Sequence, residues 1–252
     1  MVKFFLLLWL LWIPPSCGTS SLGMKGTNPP SHQIFDGLLK EHVRQDGTVD
    51  YPGFIRNKDL LVSYLDLLST HPPDRSSWSI DEQLAYWINA YNAFTVKLII
   101  DHYPVKTIQD IGPKLNIPLI NTVWHLEFFS IGGKKASLDE IEHKILRKEF
   151  DEPRIHFAIN CASFSCPLLA NEAYVADKLE AQLERAARRF INDPERNRIQ
   201  KEKAELSELF SWFKGDFTKS GSLGAYLNRY SQVKMSERAK INYIPYDWRL
   251  NE

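Results

Sequence analysis

The sequence predicts an α+β fold, with a helix-dominated single domain around a small antiparallel sheet. Several segments space their apolar residues as amphipathic helices do, whereas only short segments show the period-two alternation of strands. Gly132-Gly133 separates two of the short segments and predicts a β-hairpin, which makes antiparallel pairing the expected arrangement. With 252 residues, 44% of them hydrophobic, the chain is long enough to bury one sizeable core.

The first 17 residues have the pattern of an export signal. Lys3 precedes an uncharged apolar run over residues 4–13, which is too short to span a bilayer. Residues 18–31 are rich in Ser, Gly, Thr, Asn and Pro and predict a flexible tether. Residues 32–252 then form the predicted globular domain. We therefore expect the protein outside the cytoplasm, in the periplasm or the extracellular space.

Cys17 lies where a bacterial lipoprotein would carry its lipid. Ser16 and Gly18 flank it as in such a signal, but Pro14 stands where a leucine is usual. Lipidation of Cys17 and simple cleavage of the signal therefore both stay open. A lipid on Cys17 would be the only membrane attachment that the sequence predicts.

The charge balance argues against a nucleic-acid partner. Lys plus Arg and Asp plus Glu both number 31, so there is no basic excess to attract an anionic polymer. The sequence predicts no cofactor, and the expected ligand is a peptide or a small molecule.

The longest predicted helix runs from about residue 79 to residue 103. Ser79 and Glu82 form a capping-box pattern, and Tyr103-Pro104 ends the helix. Asn89 and Asn92 lie three residues apart in this apolar helix and need polar partners if they are buried. A structural clamp on neighbouring backbone is the favoured interpretation, and a substrate-facing role is the alternative.

A further helix is predicted to begin at Ser137, with Glu140 completing its capping box. Its predicted buried face is Ile141, Ile145, Leu146 and Phe150. His143 follows Asp139 and Glu140 by about one turn, so a carboxylate could fix its ring tautomer as a general base requires. A solvent-exposed histidine among charged neighbours is the commoner explanation, and the role as a base is the alternative.

Both cysteines that would remain after export lie between residues 154 and 169. Ile155, Phe157 and Ile159 alternate with His156, Ala158 and Asn160, which predicts a half-buried strand. Cys161 follows this strand, and Cys166 directly precedes Pro167, a residue typical of the first helical position. A thiol at a helix start faces unpaired N–H groups that favour the thiolate, so Cys166 is the predicted nucleophile.

The remaining chain is predicted to add helices and one strand. The predicted elements are helices over 32–43, 60–68, 175–191, 207–217 and 223–230, and a strand over 198–206. Residues 243–250 are too aromatic for a loose tail and are expected to dock on the core.

The chain resembles the family catalogued as domain of unknown function 547 (DUF547). The matching motifs are Tyr86-Trp87-Ile88-Asn89-Ala90-Tyr91-Asn92, Ser137-Leu138-Asp139-Glu140-Ile141-Glu142-His143, Arg154-Ile155-His156-Phe157-Ala158-Ile159-Asn160-Cys161-Ala162-Ser163, Ser165-Cys166-Pro167 and Tyr246-Asp247-Trp248. The core of the resemblance covers roughly residues 80–192. It implies that the two thiols and the Asn-bearing helix belong to one family core, but the family name records no established activity.

The first hypothesis for function is an exported binding or scaffold module. It would be held by a Cys161–Cys166 disulfide and would use an apolar groove between the long helix and the predicted strand. The alternative is a cysteine-dependent hydrolase or acyltransferase with Cys166 as nucleophile. In that alternative the base is His143 or His156, and the orienting residue is Asn89, Asn92 or Glu140.

The order of residues constrains the enzyme hypothesis. No histidine follows Cys166, which excludes the Cys-then-His order of papain-like enzymes unless the fold is permuted. If Cys166 is the nucleophile, a histidine ring nitrogen should lie within hydrogen-bonding distance of its sulfur. A redox or zinc site built from His156, Cys161 and Cys166 is a third hypothesis, although the spacing lacks the usual Cys-x-x-Cys pattern.

Overall fold

The computed structural model describes residues 28–112 and 122–252. The predicted signal, Cys17 and most of the tether lie outside the described residues. The described chain is a mostly helical single domain with two small sheets, one antiparallel and one mixed, which confirms the helix-dominated α+β fold. None of its helices is long and apolar enough to cross a membrane.

The described residues form nine α-helices and five strands. The α-helices are α1 Gln33–His42, α2 Tyr51–Arg56, α3 Lys58–Thr70, α4 Ile80–His102, α5 Arg147–Glu149, α6 Leu179–Ile191, α7 Leu209–Trp212, α8 Lys214–Phe217 and α9 Leu223–Tyr230. The strands are β1 Phe129–Ile131, β2 Lys134–Ala136, β3 Arg198–Ile199, β4 Lys203–Ser207 and β5 Lys240–Ile244. A π-helix, Glu140–Leu146, leads directly into α5.

Helix α4 is the central element of the core. It begins at the predicted capping box, in which the Ser79 hydroxyl accepts the Glu82 N–H and the Glu82 carboxylate accepts the Ser79 N–H. Most of its side chains are buried, and it packs against α2, α3 and the π-helix. The residues that α4 directs toward the π-helix therefore lie inside the core.

The two sheets differ in connectivity. Strands β1 and β2 form the predicted antiparallel hairpin, and both glycines of its turn have positive φ, 59° at Gly132 and 76° at Gly133. In the second sheet β4 pairs with β3 in antiparallel orientation and with β5 in parallel orientation. The predicted strand over 198–206 is thus two strands joined by a turn.

The strand predicted over residues 155–160 is wrong. Residues 153–157 form a 3₁₀-helix, with Pro153 in its first turn and the Glu152 carboxylate accepting the Arg154 N–H at 3.0 Å. All six residues from 155 to 160 are buried, so the alternation does not separate a core face from a solvent face. The side-chain amide of Asn92 in α4 bonds to the backbone at Ala158 and Asn160, where a neighbouring strand would have bonded.

The helix predicted to start at Pro167 is also absent. Residues 167–175 are irregular, and other parts of the chain fix the backbone here. The carbonyl of Pro167 accepts the Asn160 side-chain amide at 2.7 Å, and the carbonyl of Cys166 accepts Arg196 Nε at 3.0 Å. Cys166 therefore does not face the N–H groups of a helix terminus, which was the physical basis for choosing it as nucleophile.

Candidate functional site

A cavity of about 610 Å³ lies between α4, the π-helix, the cysteine-bearing segment, α7 and the C-terminal segment. Four residues that the sequence predicted for the site line this cavity: Cys161, Cys166, His143 and His156. Asn89, Asn92 and Glu140 do not line it. The structure therefore brings both thiols and two of the candidate bases to one place.

Cys161 is the partly exposed thiol of the cavity. Its sulfur lies 3.1 Å from the Ser163 hydroxyl and 3.3 Å from the Tyr246 hydroxyl. Interaction with the Cys166 thiol, together with the contacts to these two hydroxyls, outweighs the effect of burial and lowers the pKa of Cys161 to about 6. The Cys161 side chain is therefore a thiolate at neutral pH.

Cys166 has the opposite character. Its side chain is buried, and its sulfur accepts the backbone N–H of Cys161 at 2.9 Å. Burial raises the pKa of Cys166 well above its usual value, so it remains a thiol. Both cysteines are free, in contrast to the disulfide on which the scaffold hypothesis depends.

The backbone after Cys161 adopts a conformation that is uncommon for residues other than glycine. Ala162 has a φ of 62°, in the left-handed region. Its N–H donates to the Asn160 side-chain oxygen at 2.9 Å, which holds the turn closed. This turn fixes the direction in which Cys161 points, and such local strain is concentrated at functional sites.

Asn89 and Asn92 act as backbone clamps, as the favoured interpretation predicted. Asn92 donates to the Ala158 carbonyl at 2.9 Å and accepts the Asn160 N–H at 2.8 Å. Asn89 makes the same two-sided contact with the backbone of Tyr174, at 2.7 and 2.9 Å. The two amides thereby join the cysteine-bearing segment and its continuation to the core helix.

Glu142 lines the cavity and was missed by the sequence analysis. Its side chain is buried, and its Oε2 accepts the Tyr91 hydroxyl at 3.1 Å. Burial is the main cause that raises the pKa of Glu142 to about 7, and the negative charge of Cys161 adds to it. A signal was present in the sequence, because Leu138, Glu142 and Leu146 repeat every four residues and place a carboxyl group in an apolar stripe.

Glu140 lies outside the cavity and does not orient His143. Its carboxylate is 4.0 Å from Lys144 Nζ, and its side chain is 37% exposed. The carboxylate near His143 is that of Asp139, with 3.7 Å between Oδ1 and the ring Nε2.

The wall that carries the histidines is a polar chain of four residues. Arg147 donates to His143 Nδ1 at 2.9 Å and to both oxygens of Asp216, and Asp216 accepts His156 Nε2 at 2.8 Å. Burial raises the pKa of Asp216, but the bonds from His156 and Arg147 outweigh it and hold that pKa well below its usual range. Burial lowers the pKa of both histidines. The buried Nδ1 of His156 has no hydrogen-bond partner within the described residues.

The expected contact between a histidine and Cys166 is not present. All seven histidines lie in the described ranges, and none of them hydrogen bonds to either sulfur of the Cys161–Cys166 pair. The polar groups nearest the Cys161 sulfur are instead hydroxyls and the Cys166 thiol.

Aromatic side chains form another wall of the cavity. Trp212 stacks on Trp248 with 5.9 Å between ring centroids, and Tyr246 packs against Trp248 at 4.4 Å. The Trp212 side chain is 48% exposed, so a flat apolar surface is open to solvent beside the cavity.

A sequence model of the family described as "Protein of unknown function, DUF547" matches residues 75–191. Residues 75–191 are a DUF547 domain. No curated protein and no solved structure matches the chain.

The DUF547 domain supplies only part of the cavity. Both cysteines, Glu142, His143 and His156 belong to it. The aromatic wall formed by Trp212, Tyr246 and Trp248 comes from later residues, as does Asp216, which bonds to His156. Tyr246, which contacts the Cys161 sulfur, is also outside the matched range. A complete site therefore needs the chain that follows the DUF547 domain.

The zinc hypothesis gains no support from the geometry. Across residues 28–112 and 122–252, no three His, Cys, Asp or Glu side chains are placed so that they could hold a metal ion together. The arrangement around Cys161 is instead suited to covalent chemistry, because a thiolate and a carboxyl group with a raised pKa share one cavity.

Proposed function

We propose that this protein is a cysteine-dependent hydrolase or acyltransferase and that Cys161, rather than Cys166, is its nucleophile. The observation that supports the proposal is the Cys161 sulfur in a cavity, in contact with two hydroxyl groups and sharing that cavity with the buried carboxyl group of Glu142. Glu142 takes the role of acid and base that the sequence analysis gave to His143 or His156.

The first half of the reaction uses the two groups in the protonation states they hold near neutral pH. The Cys161 thiolate attacks the carbonyl carbon of an ester or amide and forms a carbon–sulfur bond. The bond to the leaving group breaks, and the leaving oxygen or nitrogen takes the proton of the Glu142 carboxyl group. The pKa values of about 6 for Cys161 and about 7 for Glu142 let a thiolate and a protonated acid coexist.

The second half returns both groups to their starting states. The Glu142 carboxylate removes a proton from water, or from an acceptor hydroxyl or amine, as that oxygen or nitrogen attacks the thioester. The carbon–sulfur bond breaks, the thiolate reforms and Glu142 again carries its proton. Water as acceptor makes the protein a hydrolase, and a second substrate makes it an acyltransferase.

A binding module without turnover is the second candidate, as in the first hypothesis from the sequence. The observation that favours it is that no histidine of the described chain hydrogen bonds to either sulfur. Its ligand would be a peptide or small molecule that packs against the exposed face of Trp212.

The decisive experiment is acylation by p-nitrophenyl acetate. We expect release of nitrophenolate and an acetyl thioester on the Cys161 peptide, detected by mass spectrometry. Cys161→Ala should lower the rate by roughly 10³-fold or more, and the matched variant Cys166→Ser should still be acetylated at Cys161. In Glu142→Gln the acetylated form should accumulate, because deacylation lacks its base.

Two outcomes would reject the enzyme. One is acetylation at Cys166 in place of Cys161. The other is acetylation no faster than that of a small free thiol at the same pH, which would leave the binding module as the better description.

A further inference from the structure

We propose that Cys161 is also an oxidation site for hydroperoxides, at which a sulfenic acid forms and Cys166 then converts it to a reversible disulfide that blocks the nucleophile. The inhibitory consequence rests on the proposed function, whereas the oxidation itself does not. Both thiols of the disulfide come from the same chain, so no thiol of another molecule is needed.

The turn between the two cysteines already holds them in contact. The N–H of Cys161 donates to the Cys166 sulfur at 2.9 Å, and the N–H of Cys166 donates to the Ser163 carbonyl at 3.1 Å. The left-handed conformation of Ala162 closes the turn from one side. Because these contacts bring the Cys166 sulfur against Cys161, the second thiol can reach an oxidised first thiol without unfolding the segment.

The two thiols differ in access. Cys161 is partly exposed, whereas the side chain of Cys166 is 5% exposed. Both residues line the cavity, and Cys161 is the more accessible of the two to a small peroxide. The difference in charge agrees with this order, because Cys161 is the thiolate and Cys166 keeps its proton.

The chemistry balances with a hydroperoxide as oxidant. The Cys161 thiolate attacks the terminal oxygen of the hydroperoxide, so that a sulfur–oxygen bond forms and the oxygen–oxygen bond breaks. The sulfur is oxidised to sulfenic acid, and the peroxide is reduced to an alkoxide that takes a proton from solvent. The Cys166 sulfur then attacks the Cys161 sulfur, and hydroxide leaves with the Cys166 proton as water. A dithiol reductant reverses the disulfide by exchange.

The experiment treats reduced full-length protein with one equivalent of tert-butyl hydroperoxide, followed by peptide mapping. We expect the Cys161 and Cys166 peptides to be joined by a disulfide that dithiothreitol removes. Cys166→Ser should stop at the sulfenic acid, which dimedone traps on Cys161. Cys161→Ser, the matched variant, should leave Cys166 unoxidised. Absence of the disulfide in the oxidised wild type would overturn the proposal, as would oxidation of Cys166 in Cys161→Ser.

The same samples separate this proposal from the proposed function. Oxidation should lower the rate of acetylation by p-nitrophenyl acetate by more than about tenfold, and dithiothreitol should restore it. If the reversible disulfide forms in a protein that shows no acetylation at any stage, the enzyme proposal fails and the oxidation site stands. If acetylation is present and unaffected by the disulfide, the inhibitory switch is overturned and the enzyme proposal needs a different nucleophile.

Discussion

The hydroxyl of Tyr246 lies 3.3 Å from the Cys161 sulfur, although the two residues are 85 positions apart in the chain. The Ser163 hydroxyl donates to the Tyr246 oxygen at 2.9 Å, which leaves the Tyr246 hydrogen free to point at the sulfur. A donor stabilises a thiolate more than a thiol, because the hydrogen bond to the charged form is stronger. The charge state of Cys161 thus depends on a residue outside the DUF547 domain.

Tyr246→Phe should raise the pKa of the Cys161 thiol by about one to two units, since a hydrogen bond to a charged group is worth about 1.5–3 kcal/mol. The pKa rises because the lost hydrogen bond stabilises the Cys161 thiolate more than the Cys161 thiol. Cys166, Glu142, Tyr51 and Tyr91, which also interact electrostatically with Cys161, are retained in this variant. The measurement is the pH dependence of alkylation by iodoacetamide, whose midpoint should move upward from about 6.

Tyr243→Phe is the matched control, because Tyr243 lies on β5 and makes no hydrogen bond to the Cys161 sulfur. An alkylation midpoint that is the same in Tyr246→Phe and Tyr243→Phe would show that the Tyr246 hydroxyl does not stabilise the thiolate.

Among the elements, the π-helix Glu140–Leu146 has the largest effect on the site. The sequence predicted an ordinary helix here, with Ile145 on its buried face and a solvated His143. The structure instead buries Glu142 and Leu146 in the π-helix, while Ile145 is only half-buried. The buried face of the π-helix therefore includes a carboxyl group, which lines the cavity.

Glu142→Gln should change how stability depends on pH. The pKa of Glu142 is raised from 4.5 to about 7, so the folded state keeps a proton that the unfolded state has lost. The free energy of unfolding contributed by Glu142 is therefore fully present below about pH 4.5 and decreases as the pH rises through about 7. The free energy of unfolding of the variant, measured relative to that of wild type, should therefore increase by on the order of 3 kcal/mol between about pH 4 and about pH 8.

The measurement is urea unfolding of both proteins across this pH range. Cys161, whose pKa is lowered, makes stability rise with pH through its own titration and interacts with Glu142, so both proteins are compared in a Cys161→Ser background. Glu140→Gln removes a carboxylate from the solvent side of the same helix and controls for the loss of charge. A difference between wild type and Glu142→Gln that stays constant with pH would contradict a buried, protonated Glu142.

Local patterns predicted the elements that local forces determine. The Ser79 capping box, the Gly132-Gly133 hairpin and helix α6 are present as expected. The segment around residues 155–160 failed because its period-two pattern came from complete burial, and its backbone is satisfied by Asn92 from a distant helix. No local pattern contains that long-range hydrogen bonding, so a strand was the natural but wrong prediction.

The site could be predicted only in part, because long-range contacts also determine which residues form it. Of the residues that the sequence proposed for the site, Cys161, Cys166, His143 and His156 line one cavity. Asn89, Asn92 and Glu140 do not line it. The sequence selected Cys166 on the expectation of a helix start that the fold does not contain. Tyr246 donates its hydroxyl from a segment joined to the site only by tertiary contacts, so spacing alone could not reveal its role.

At the scale of the whole molecule, the C-terminal segment connects the site to the N-terminal helices. Asn251 donates its N–H to the Ala162 carbonyl at 3.2 Å, and its carbonyl accepts the Val49 N–H at 2.8 Å. Its side chain accepts the buried Tyr51 hydroxyl at 2.7 Å and donates to Asn160 at 3.3 Å. One residue near the end of the chain thus joins α2 to the turn that carries Cys161.

Asn251→Ala should lower the free energy of unfolding by about 1–3 kcal/mol, because it leaves the buried Tyr51 hydroxyl without an acceptor. Tyr51→Phe removes the donor instead and should cost less, since no polar group is then stranded. In the double variant the two effects should not add, and the coupling energy should be about 1 kcal/mol. Urea unfolding of the four proteins at one pH measures this cycle. Strict additivity would mean that the hydrogen bond between Tyr51 and Asn251 does not couple α2 to the C-terminal segment.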